Sequence, residues 1–377
     1  MEDAFLPIRH YNEREARFAW KYLIENEDFR KALKLIEHKV SLEQIEGEFA
    51  NFKSTYDFQL SVAKRFIETF VEKTVSVLDM RGLENLQPDV PYLFIANHRD
   101  IVMDTALLQY YFMANGRPTS KIAFGNNLIS MPLLDAFSKL NKMFIVKRDG
   151  TIREKLASSK LLSEYIHYSL TVENDSVWTA QRNGRTKDGI DKTQPGLLKM
   201  LTEWSSEEPV SLLMKMNIVP VTISYEYEPC DKQKARELAL SENAPYVKQP
   251  GEDFMSMQQG IFGYKGKITL VIGKSLTGQL DLIDDTMKVN DKLAEVAHLI
   301  DKQIYADYQL YSTNYIAFDM LENCCNFSDK YDGKQRADFE EYLKKQAAVP
   351  DVAEEKMMDY LLRIYANPVK SSLGLTY

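Results

Sequence analysis

Cysteine is scarce: three in 377 residues, with Cys324 and Cys325 adjacent and Cys230 alone. That excludes a disulfide framework and the paired spacing of a zinc or redox motif, and reduced thiols in a reducing compartment are expected. No run of about 18 apolar residues occurs, so no transmembrane helix is expected. The opening Met1-Glu2-Asp3-Ala4-Phe5 lacks the basic start and apolar stretch of a secretion signal. Positive charge is also in deficit, 47 basic against 55 acidic side chains for a net charge of −8. Nucleic acid is therefore set aside as a partner, since affinity there comes from neutralised phosphates. Gly-x-Ser-x-Gly, Gly-x-x-x-x-Gly-Lys-Ser/Thr and Gly-x-Gly-x-x-Gly are all missing, which disfavours a serine hydrolase elbow and nucleotide-binding loops. A cytoplasmic location is expected.

What remains is an ordinary globular composition, 45% hydrophobic and 27% charged, long enough for roughly two domains. From Asn12 to Lys73 the apolar residues recur at helical spacing, with Phe58, Val62, Phe66 and Phe70 as the clearest stripe. Ser41 with Gln44 three residues on predicts a capped helix start. After Met80 the texture changes to short apolar runs: Tyr92 to Ala96, Lys121 to Phe124, Met143 to Val146, Val177 to Ala180, Ile218 to Ser224 and Ile268 to Ile272. Helical segments fill the gaps, among them Asp104 to Met113, Leu128 to Leu140, Ile152 to Ser169 and Gly196 to Trp204. Strands alternating with helices predict an α/β fold, a mostly parallel, twisted sheet with helices on both faces. The pattern reverts to helix over Met287 to Tyr308, Arg336 to Gln346 and Ala353 to Tyr365. The expected organisation is a helical segment over 1–80, an α/β unit over 81–275 and a helical C-terminal segment over 276–377. The charged stretch Pro229 to Pro250 is expected to be a solvated excursion.

Five histidines occur, and His10, His38, His167 and His298 fall in helical or terminal stretches where surface or core roles are expected. His98 follows the strand Tyr92 to Ala96 and precedes a helix, and ligands of open α/β sheets gather at the carboxyl ends of strands. Asp100 and Asp104 are each near enough in sequence to hold its ring. A His and Asp pair with no protein nucleophile suits a reaction in which an acceptor's own hydroxyl attacks. Lys147 and Arg148 end a second strand, and Arg182, Gly184 and Arg185 follow a third. Cations there match phosphate oxygens. Together these ends describe a site for a phosphorylated alcohol, with no metal ligand set among them.

The residues resemble the glycerophospholipid acyltransferases, comprising glycerol-3-phosphate and 1-acylglycerol-3-phosphate acyltransferases. Asn97-His98 through Asp104 is similar to their Asn-His-x₄-Asp block, with five intervening residues where the family has four. Phe144 to Arg148 resembles the second block, Gln181 to Thr186 the third, with Asn183 where Glu usually stands, and Ile218-Val219-Pro220-Val221 the fourth. The resemblance covers about Leu83 to Tyr225. It implies that His98 is the general base, that Asp104 orients it with Asp100 as the alternative, and that Lys147, Arg148, Arg182 and Arg185 bind the acceptor phosphate. Backbone amides near Gly184, or at the helix start after His98, are the implied oxyanion donors. No cofactor is implied; the donor would be an acyl-coenzyme A or acyl-carrier-protein thioester, and the acceptor a phosphorylated glycerol. Acylation of another lipid head such as an N-acyl amino acid, or a catalytically idle lipid-binding module, are the alternatives. Leu128, Ile129, Met131, Leu133 and Leu134 could line an acyl slot, though such spacing is more often core. The charged helical start looks like that of the soluble plastid glycerol-3-phosphate acyltransferases, so membrane contact is expected to be peripheral, on the inner face.

Overall fold

The computed structural model describes residues 2–128, 131–242 and 244–375. Seven strands form one sheet: β1 (Val75–Arg81), β2 (Leu93–Ala96), β3 (Lys121–Gly125), β4 (Met143–Val146), β5 (Val177–Ala180), β6 (Ile218–Tyr225) and β7 (Gly266–Ile272), in the order β1-β7-β6-β2-β5-β3-β4. Neighbours from β6 through β4 are all parallel. The β7 strand runs antiparallel to β6 and pairs in parallel with β1.

The short apolar runs are strands because both faces of the sheet are covered. Leu93 and Ile95 point into one core with Tyr165, Ile166, Leu198 and Ile300. Phe94 and Ala96 point into the other with Leu107, Phe112 and Trp178. Alternate side chains of one four-residue strand thus feed two cores. Fully burying a side chain such as Phe94 contributes about 1.5–3 kcal/mol relative to leaving it exposed. The strand register also levels the functional ends, with Ala96 opposite both Ala180 and Val221.

The N-terminal helices build a separate apolar cluster of Trp20, Leu23, Phe29, Phe58 and Phe66, which packs on Ala136 and Leu140 of the helix Pro132–Leu140. Ser41 caps the helix Leu42–Phe49 in a capping box with Gln44, as expected.

Several elements differ from the pattern-based reading. The edge strand β1 falls where helix was expected, because its residues, none of them fully buried, directly continue the helix Lys64–Thr74 without Gly or Pro. The stretch 229–250 is not a solvated excursion: it contains the helix Asp231–Ser241, whose Ala235 packs among Phe339, Leu361 and Tyr365 of the C-terminal helices. A further helix, Ser312–Leu321, completes that cluster, and the last helix continues through Pro368 to Ser372.

Candidate active site

The first functional side chain hangs from the loop between β2 and the helix Met103–Ala114. His98 Nδ1 lies 2.9 Å from Asp104 Oδ2, and the ring is edge-on to Trp178 at 5.6 Å between centroids. That Oδ2 already accepts the backbone N–H of Arg99 at 2.6 Å and of Asp100 at 2.8 Å, while Oδ1 accepts the Tyr225 hydroxyl at 2.6 Å. The carboxylate therefore acts as an acceptor throughout, so Nδ1 carries the hydrogen and Nε2 presents its lone pair. Burial and the adjacent Asp104 push the Tyr225 phenol well above its ordinary pKa, which keeps it a donor.

Asp100 sits elsewhere. Its Oδ1 accepts the N–H of Val102 at 2.8 Å and of Met103 at 2.7 Å, folding the chain into the helix start. Its Oδ2 is buried without a hydrogen bond and faces Gly260, where a methyl group would overlap it. Burial, then the neighbouring Asp104, raise the Asp100 pKa. The bend at Ile101 and Val102 absorbs the fifth residue between His98 and Asp104. The amides of Arg99, Asp100, Val102 and Met103 are engaged by these two carboxylates.

Beneath this loop lies an ion network that the sequence reading missed. Arg99 is 4% exposed and bonds Asp191 at 2.8 Å and Glu228 at 3.0 Å; Lys234 Nζ bonds Glu228 at 2.6 Å and the Arg99 carbonyl at 2.7 Å. Asn97 and Tyr308 also donate to Asp191. Burial tends to raise the Asp191 pKa, but Arg99, with Asn97, holds it below the usual carboxylate range. The network fixes the backbone on which His98 is mounted. Its partners are about a hundred residues apart, which left no local spacing to find.

His98 opens on two cavities. One, of about 460 Å³, is walled by Ile122, Phe124, Val146 and Trp178 from the sheet, by Lys155, Leu162 and Ile166 from the helix Ile152–Thr171, and by Leu197 and Met200 from the helix Pro195–Thr202. Of the proposed slot residues Leu128 lines it. Leu133 packs instead against the N-terminal cluster, Met131 is exposed, and Ile129 lies outside the described residues.

The second cavity, about 340 Å³, holds Arg148, Arg182, Gly184, Arg185, Lys187 and Lys248, with Asp253. His98, Ile101, Leu128, Arg148, Arg182 and Asn183 border both. Lys147 borders only the apolar one. Lys187 is ion-paired to Glu237 and Lys248 to Asp253. Among the described residues Arg148, Arg182 and Arg185 make no ion pair, and Arg182 Nε and Arg185 Nη1 are buried without an acceptor. The local acids are occupied otherwise: Asp149 accepts from Asn126, and Glu154 caps Thr151.

Glycine permits two of these approaches. Gly184 has φ +76°, which turns the chain between Arg182 and Arg185. At Gly125 a Cβ would lie 3.0 Å from Arg148 Nε, so the missing side chain lets that guanidinium lie across the end of β3.

A known family and a solved structure are similar to this chain. Residues 77–224 match the family model Acyltransferase. A solved structure, the 1-acyl-sn-glycerophosphate (LPA) acyltransferase from Thermotoga maritima, is similar at 12% identity and a TM-score of 0.42, over 79% of this chain and 98% of that one. No curated protein matches.

Proposed function

Starting from the premise that this chain is an acyltransferase, with its acyltransferase domain over residues 77–224, we propose that it moves a fatty acyl group from an acyl thioester to a hydroxyl of glycerol-3-phosphate or its 1-acyl derivative. The observation that carries this reading is the position of His98, which borders an apolar cavity and a cavity with unpaired guanidinium nitrogens at once. An acyl chain would fill the first and a phosphate the second, bringing carbonyl and hydroxyl together at the imidazole.

In the proposed step Nε2 of His98 takes the proton of the acceptor hydroxyl as its oxygen attacks the thioester carbonyl. Asp104 holds the ring in the required tautomer and stabilises the imidazolium, and the thiolate leaves with a proton returned from His98. Arg148, Arg182 and Arg185 would bind the phosphate, their planar forks matching its oxygens. Lys147, at the edge of the apolar cavity, would meet the donor's head group. Backbone amides near Gly184 or at the helix start after His98 would bind the oxyanion. Asp100 serves the loop geometry in this scheme.

The deciding experiment is transfer from a labelled acyl thioester, offered as the coenzyme A and the carrier-protein form, to glycerol-3-phosphate, 1-acylglycerol-3-phosphate and an N-acyl amino acid. Preference for a phosphorylated acceptor, lost in Arg185→Ala, supports the reading. Preference for the amino acid overturns it in favour of a carboxylate head.

A further inference from the structure

A strand that outruns its neighbour holds the loop that carries His98. Ala96, the last residue of β2, lies opposite Val221, so β6 continues for four residues beyond it, Thr222 to Tyr225. Antiparallel pairing with β7 supports this overhang as far as Tyr225 opposite Ile268. Asn97 pins it from the loop: its side-chain oxygen accepts the N–H of Ile223 at 2.8 Å and its amide donates to the Ile223 carbonyl at 3.0 Å. Tyr225, two residues on, lies on the same face of the strand as Ile223, and both pack into one core. It is 4% exposed and borders neither cavity at His98. Its hydroxyl goes to Asp104 instead.

Four donors share the Asp104 carboxylate. Oδ2 accepts from the His98 ring at 2.9 Å and from the amides of Arg99 and Asp100 at 2.6 and 2.8 Å, whereas Oδ1 accepts only the phenol, at 2.6 Å. The imidazole bond is the longest of the four. Anchoring Oδ1 keeps the carboxylate from turning Oδ2 off the ring, and charge drawn to Oδ1 is charge that does not stabilise an imidazolium. The other charged groups around the pair are Asp100 on the same loop and Glu228 beyond β6, which both act on the phenol. Arg185 beyond β5 and Lys265 before β7 face Asp100. Glu228 is already ion-paired with Arg99 and Lys234. Among the described residues only His98 and Tyr225 bond the Asp104 carboxylate through their side chains.

We infer that Tyr225 is a positioning residue, whose hydroxyl orients Asp104 and tempers its hold on the His98 proton, so that the ring can both take a proton from the acceptor and return it to the leaving thiolate. The inference rests on the reading of His98 as the base. The test changes the phenol in two ways. Tyr225→Phe removes the hydroxyl and keeps the ring in the core; Tyr225→3-fluorotyrosine keeps the shape and donates more strongly. Two quantities are measured: the titration of the His98 ring by nitrogen NMR without substrate, its signal identified by loss in His98→Ala, and the pH dependence of transfer to glycerol-3-phosphate. Without the hydroxyl more of the Asp104 charge serves the imidazolium, so in Tyr225→Phe the ring titration and the acid limb of kcat/KM should rise by about half to one pH unit. On the plateau kcat should fall about tenfold with both KM values unchanged. The fluorinated phenol should move titration and limb the other way. In an Asp104→Asn background Tyr225→Phe should cost less than about twofold, because it acts through that carboxylate. A ring titration that is the same with and without the hydroxyl overturns the inference. So does a change in KM with an unmoved pH profile, the mark of packing alone. Should Tyr225→Phe not fold, the fluorinated protein decides, and an unmoved titration there is equally fatal. Titrations that respond as expected in a protein that transfers no acyl group sink the reading of His98 as the base and leave the hold of Tyr225 on the pair standing.

Discussion

Two sets of cations follow the neighbouring strands β2 and β5 and differ in what they face. Arg99 has all three guanidinium nitrogens engaged, by Asp191, Glu228 and the Gly189 carbonyl. Arg182 and Arg185, a few residues before Asp191, keep buried nitrogens with no acceptor. An unsatisfied buried donor costs about 1–3 kcal/mol, and in the function proposed above the acceptor's phosphate offsets that cost at Arg182 and Arg185. Pairing therefore separates Arg99 from the guanidinium groups proposed to bind phosphate where charge and burial do not.

The strongest way to sharpen that contrast is to remove His98, the proposed base, between the two sets. His98→Ala should lower kcat about 10²- to 10⁴-fold with acceptor KM little changed and folding intact, read by initial rates and a thermal melt. Arg99→Ala should act on the fold instead, since Asp191 and Glu228 are left buried with uncompensated charge; a loss of about 3–5 kcal/mol in urea unfolding is expected. Were Arg99→Ala as stable as the wild type, the structural half of the comparison would fail. Arg185→Ala should do the reverse, raising acceptor KM about 10- to 100-fold, a loss of about 1.5–3 kcal/mol in binding, with stability unchanged or improved. Equal effects on both substrates would remove its phosphate role.

The smallest effect belongs to the opposite end of the strands, where Lys121 is fully buried and ion-paired with Glu173. Desolvation, then the positive charges of Lys121 and Lys142, lower the His10 pKa from 6.5 to about 3. As pH falls through 6.5 the unfolded chain binds a proton that the folded chain refuses until about pH 3, so stability is lost over that window. His10→Gln should flatten the fall between pH 7 and 5 by about 1–2 kcal/mol, measured by urea unfolding at both values. An unchanged slope would mean that His10 is solvated.

The central strands were legible because burial on both faces leaves short, nearly continuous apolar runs, and each observed strand from β2 to β7 lies within two residues of its expected ends. The edge strand β1 was not, since one exposed face mixes Ser76, Asp79 and Arg81 into the pattern. The helix Asp231–Ser241 was misread because Lys232, Lys234 and Arg236 resemble a solvated run, yet Lys234 is 2% exposed and neutralised by Glu228. The cationic strand ends and His98 could be picked out by position alone. Their openness to one another could not.

Residue order alone determined the layered α/β arrangement and which strand ends carry an imidazole or a guanidinium, because periodicity and punctuation are local properties of the chain. Tertiary structure placed Asp104 rather than Asp100 on the His98 ring, left Arg182 Nε and Arg185 Nη1 buried without an acceptor, and set Arg99 in its ion network. Those outcomes depend on groups tens of residues distant, such as Tyr225 on Asp104 and Gly260 against Asp100, and on which charges the folded chain had already satisfied.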